Sequence, residues 1–145
     1  VTILPLLLYS GLSKSLQFSE RSERLIPLYL TLFLYLASFL LIRQLPVSLV
    51  YPRFLFSASL SVFFVLAISY FWKISAHLVG WGGIVGLVSV LSFRFQSDLM
   101  LFLILAILAA GITAFARLRL DEHNPLQVYS GFLLGLMTML LVFSV

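Results

Sequence analysis

Five nearly uninterrupted apolar stretches, at about 25–42, 54–72, 78–93, 99–116 and 126–145, are separated by short segments that hold almost all of the charge. Blocks of about 20 apolar residues are long enough to cross the hydrocarbon core of a bilayer as helices. The apolar residues come in blocks and not at amphipathic spacing, and the alternating pattern of an outer-membrane barrel is missing. Helices are then the spanning elements, because within lipid each backbone N–H and C=O has to be satisfied by its own segment. With 62% hydrophobic and 10% charged residues in a chain of 145, the composition is far from a soluble domain, which carries roughly a quarter charged residues. The expectation is one all-α domain over residues 1–145, a polytopic integral membrane bundle of five full spans. Residues 1–12 are apolar as well and are expected to form a partial N-terminal span whose start is missing or removed. A signal peptide is the alternative, without a basic n-region or a small-residue cleavage site to support it.

The absence of cysteine excludes disulfides, thiolate metal sites and cysteine nucleophiles. Two histidines and five acidic residues argue against a buried metal centre, so neither metal nor cofactor is expected. The net charge of +4 sits in short connections and not in a basic tail. Nucleic acid is therefore not an expected partner; membrane lipids, anionic headgroups and phosphates are.

Alternate crossings put residues 13–24, 73–77 and 117–125 on one face and residues 43–53 and 94–98 on the other. Lys14, Arg21, Arg24, Lys73, Arg117 and Arg119 fall on the first face, Arg43, Arg53 and Arg94 on the second. The positive-inside rule puts the first face in the cytoplasm, although cations kept to bind phosphate bias that count the same way. The bacterial inner (cytoplasmic) membrane is the expected location. Gly82 with Gly86, and Gly131 with Gly135, are spaced as G-x-x-x-G, and Ala109-Ala110-Gly111 adds a third small patch. Such residues predict close helix packing in lipid. Tyr51, Tyr70, Trp72 and Tyr129 sit where aromatic interface anchors are usual.

Both histidines lie where an apolar stretch meets a cationic one, His77 in Lys73-Ile74-Ser75-Ala76-His77 and His123 at the end of the segment that begins with Arg117. Polar groups held at a bilayer edge are a functional hypothesis by default. Lys14 and Arg21 are separated by six residues, Ser75 and His77 by one, and Arg117 and His123 by five. In order and spacing this resembles the three-part signature of the type 2 phosphatidic acid phosphatase (PAP2, or lipid phosphate phosphatase) superfamily, K-x6-R-P, P-S-G-H and S-R-x5-H-x3-D. The likeness runs from Lys14 onward and continues into the small-residue helix after the third motif, here Ser130-Gly131 to Gly135.

The resemblance implies a PAP2-like fold and a membrane phosphatase of lipid phosphates or isoprenoid pyrophosphates. His123 would be the nucleophile, and His77 would protonate the leaving alcohol and later activate water. Lys14, Arg21, Ser75 and Arg117 would hold the phosphate oxygens. Phosphoryl transfer needs mainly positioned positive charge and donors around those oxygens. A helix starting near Ala76 with Ser75 as its N-cap would add free amides and a positive dipole end. The departures are Ser22, Ile74, Ala76 and Ala116 for the family's proline, proline, glycine and serine, and Gln127 at the orienting aspartate. Glutamine can accept a hydrogen bond from an imidazole without stabilising its cation. Asn124-Pro125-Leu126-Gln127 also reads as a capping-box-like helix start. Lys73 and Arg119 are read as interfacial snorkelling cations, and Asp121 and Glu122 as water-facing partners of Arg119 or Arg24. Two other functions compete: a catalytically impaired scaffold or subunit of a larger membrane complex, and a lipid or small-anion carrier using the same cations.

Overall fold

The computed structural model describes residues 21–96 and 98–144. Five helices run in chain order, α1 (Arg21–Ile42), α2 (Val50–Ser69), α3 (Ala76–Phe95), α4 (Met100–Arg119) and α5 (Pro125–Ser144), and there is no strand among the described residues. All five are long and apolar enough to cross a membrane, and the chain is an all-helical integral membrane protein. The apolar segment at 1–12 and Lys14 lie outside the described residues.

The helix ends depart from the expected spans in ways that physical chemistry explains. Helix α2 starts at Val50, so Pro52 lies in its first turn instead of in the approach. Its missing N–H costs nothing there, because first-turn amides have no intrahelical acceptor. The same helix stops at Ser69, where the Ile68 carbonyl takes the N–H groups of both Phe71 and Trp72, at 2.9 and 2.8 Å. Tyr70 and Trp72 therefore occupy a turn and not the span. Helix α4 continues past the expected end at 116 through Arg117 and Arg119. Cations in a last turn complement the negative end of the helix dipole.

The core is the pair α3 and α5, the most extensively packed of the described helices. They run parallel, with Ser75 against Gly131, Val79 against Gly135 and Gly86 against Met139. A β-carbon placed on Gly82 would sit 2.0 Å from the Phe132 carbonyl oxygen, and one on Gly131 would sit 2.6 Å from that of Ser75. Both G-x-x-x-G pairs thus bring backbone onto backbone, as small residues do in lipid where no hydrophobic force drives helices together. The third small patch does not: Ala110 is buried, but a β-carbon on Gly111 would meet nothing within 4 Å.

Helix α2 joins α5 through the buried hydroxyls of Ser61 and Thr138, 2.6 Å apart. Helix α1 packs on α2, with the Phe39 and Phe56 rings 5.4 Å apart at one end and the Tyr29 and Tyr70 hydroxyls hydrogen-bonded at the other. No residue of its span, Leu25–Ile42, is buried, so α1 lies at the periphery.

Candidate functional site

The parallel course of α3 and α5 leaves both N-termini at one end of the bundle, and α4 returns to that end between them. The segment from α4 into α5 is built by a Schellman motif. The N–H of Glu122 bonds the Arg117 carbonyl at 3.2 Å and the N–H of Asp121 bonds the Leu118 carbonyl at 3.3 Å. Asp121 takes the left-handed position of that motif, φ 51°, which glycine usually fills. The N–H of His123 also reaches the Arg117 carbonyl, at 3.4 Å. The five residues between Arg117 and His123 are therefore the length of one helix stop. They hold the two residues in fixed relation.

The next residues start α5 with the expected capping box. Gln127 N–H donates to Asn124 Oδ1 at 2.9 Å, and Asn124 N–H donates to Gln127 Oε1 at 3.2 Å. A backbone N–H can only donate, which identifies that side-chain atom as the amide oxygen. The same oxygen lies 3.0 Å from Nδ1 of His123. Nδ1 must then carry the ring proton and donate, so in the neutral ring Nε2 holds the lone pair. Gln127 both caps the helix and orients the imidazole.

Across from this loop, Nη2 of Arg117 lies 2.9 Å from Nε2 of His77. Guanidinium has donors and no acceptor, so it donates to His77, whose ring proton is on Nδ1. Lys73 Nζ lies 3.9 Å from Glu122 Oε2. This corrects the expected pairing of Glu122 with Arg119 or Arg24; Arg119 instead lies over the Phe115 ring at 5.4 Å. Ser75 N–H donates to the Gln127 carbonyl at 3.3 Å. Three separate connections thus tie 73–77 to 117–127.

Ser75 is the N-cap residue of α3, with extended backbone angles, but its hydroxyl does not cap. The side chain is fully buried and Oγ has no hydrogen-bond partner. Burial follows from Gly131, which lets the Ser75 carbonyl approach α5 closely. Of the six expected phosphate-site residues, the structure gathers His77, Arg117 and His123 at one end, with Ser75 beneath them. Arg21 opens α1 at that same end, since Tyr29 of α1 meets Tyr70 at the exit of α2. Lys14 is outside the described residues. The left-handed Asp121 and the Lys73–Glu122 pair were not anticipated; the acidic-after-basic order of Arg119, Asp121 and Glu122 was the available signal for the helix stop.

Comparison with known proteins finds no family model, no curated protein and no solved structure that matches this chain.

Proposed function

We propose that this chain is a PAP2-like membrane phosphatase, acting on lipid phosphates or isoprenoid pyrophosphates through the His123 imidazole. The observation that carries the reading is the hydrogen bond from His123 Nδ1 to Gln127 Oε1, which sets the tautomer a nucleophilic Nε2 requires. Arg117 and His77 stand beside that loop as an anion-binding guanidinium and an acid–base group.

In this mechanism a phosphate oxygen draws Arg117 away from His77, whose Nε2 then takes up a proton. His123 Nε2 attacks phosphorus and the bond from phosphorus to the leaving oxygen breaks. His77 delivers its proton to that oxygen. His77 then takes a proton from water as the water oxygen attacks phosphorus, the P–N bond breaks and inorganic phosphate leaves. The helix dipoles of α3 and α5 both present their positive ends to the transferring group. Release of phosphate from a panel of lipid phosphates and isoprenyl pyrophosphates by the purified chain tests the reading. Turnover should vanish in His123→Ala and fall steeply in His77→Ala; turnover that survives His123→Ala would exclude the mechanism.

A second reading, a catalytically impaired scaffold or subunit of a membrane complex, is favoured by the same glutamine. Its amide oxygen already serves a helix cap, and it brings no charge to an imidazolium. Absence of turnover in the native chain, together with none in a variant carrying a carboxylate at 127, selects that reading.

A further inference from the structure

The opposite end of the bundle carries its own arrangement. A rise of about 1.5 Å per residue puts Phe143 about 24 Å along α5 from Gln127. There the end of α1, the start of α2 and the end of α5 leave a crevice of about 550 Å³ between them, within the range of about 300–1,000 Å³ of small-molecule sites. Its walls are almost wholly apolar, with Phe39, Phe56 and Leu141 among them, and Arg43 and Arg53 line it too. Arg53 also lines a second, smaller cavity of about 140 Å³ beside it, with Arg94.

The charges at this end are mostly positive, Arg43, Arg53 and Arg94 against Asp98. Residues 43–53 contain no acidic side chain. Asp98, in the neighbouring connection, accepts the Met100 N–H at 3.4 Å at the start of α4. Arg94 is engaged by the Phe143 carbonyl, to which it donates at 3.0 Å. Among the described residues neither Arg43 nor Arg53 has an ion-pair partner. An apolar slot lined by two cations matches one chemistry, a negatively charged headgroup joined to an acyl chain. Basic pockets between spanning helices take such lipids.

We propose that this crevice is a binding site for an anionic phospholipid, with the phosphodiester between Arg43 and Arg53 and an acyl chain along Phe39, Phe56 and Leu141. Phosphatidylcholine presents the same phosphodiester, but its choline cation offsets that charge and is repelled by the two arginines. The site is independent of the histidine chemistry at the other end.

The test reconstitutes the full chain in bilayers of equal phosphatidylglycerol and phosphatidylcholine with identical acyl chains, then measures by mass spectrometry the lipid retained on mild extraction. Retained phosphatidylglycerol should exceed phosphatidylcholine by about fivefold for each arginine that contributes. The ratio should approach one in Arg43→Gln/Arg53→Gln and stay high in Arg43→Lys/Arg53→Lys, which also serves if the glutamine variant does not fold. Displacement by glycerol phosphate alone would overturn the lipid assignment in favour of a headgroup-only anion site. Equal retention of both lipids by the native chain, or enrichment that persists without the arginines, would overturn the site.

Discussion

Gly135 of α5 and Val79 of α3 meet backbone to backbone, so closely that a β-carbon on Gly135 would lie 1.9 Å from the Val79 carbonyl oxygen. Neither group can turn aside as a side chain could. Gly135→Ala is therefore expected to separate the helices and to cost at least about 1–3 kcal/mol, the usual penalty of overpacking. Thermal unfolding in detergent measures it, with Gly111→Ala as the control, where the added methyl meets nothing within 4 Å. Equal melting temperatures for the two variants would refute the packing.

Replacing Gln127 by Glu keeps the side-chain length, and with it both the bond from Asn124 N–H and the bond from His123 Nδ1. It adds the charge that steadies an imidazolium and sits favourably in the first turn of α5. Positioned acid–base partners contribute about 10²–10⁴-fold, so phosphate release is expected to rise by at least about tenfold. Gln127→Asp should gain less, because its shorter chain gives up part of the cap. Ala116→Ser acts in the same direction by adding a hydroxyl one residue before Arg117. A Gln127→Glu variant that folds yet releases phosphate no faster than the native chain sinks the role assigned to charge at position 127.

The chain has no cysteine, so single cysteines report topology without background. Lys73→Cys and Asp121→Cys should react with an impermeant maleimide from the same side of sealed vesicles, and Gln44→Cys only from the other. Labelling of positions 73 and 121 from opposite sides would dismantle the site and the crossing order together.

Two buried serines one helical turn apart should respond in opposite directions. Ser61→Ala removes the hydroxyl that meets Thr138 and is expected to cost about 0.6 kcal/mol, the average for hydrogen bonds between membrane helices. Ser57 is fully buried and its Oγ has no partner, so Ser57→Ala relieves an unsatisfied group and should be neutral or stabilising. Urea- or heat-induced unfolding of both variants decides the point, and a larger loss for Ser57→Ala than for Ser61→Ala would contradict the hydrogen-bond pattern.

The five spans were legible because apolar blocks of bilayer length have few alternatives to a helix. Their ends were less so. Arg117 and Arg119 read as loop residues by charge, yet a last turn welcomes cations and their long stems reach water from within a helix. The juxtaposition of 73–77 with 117–125 followed from counting crossings, and the Asn124–Gln127 cap followed from residue type alone. Spacing could not say which small residues face a neighbour: Gly131 is pressed against Ser75 while Gly111 is open. Nor could it pair Lys73 with Glu122, a contact made only once α3 and α5 are docked.

Because carbonyls and glycines interdigitate along α3 and α5, neither helix can slide past the other by even one residue without collision. A bilayer thicker or thinner than the spans has to be matched by tilt or by lipid deformation, and the little-buried helices α1 and α4 are the ones left to tilt. His77 and Gln127 ride on the locked pair, so they keep a common depth whatever membrane surrounds them.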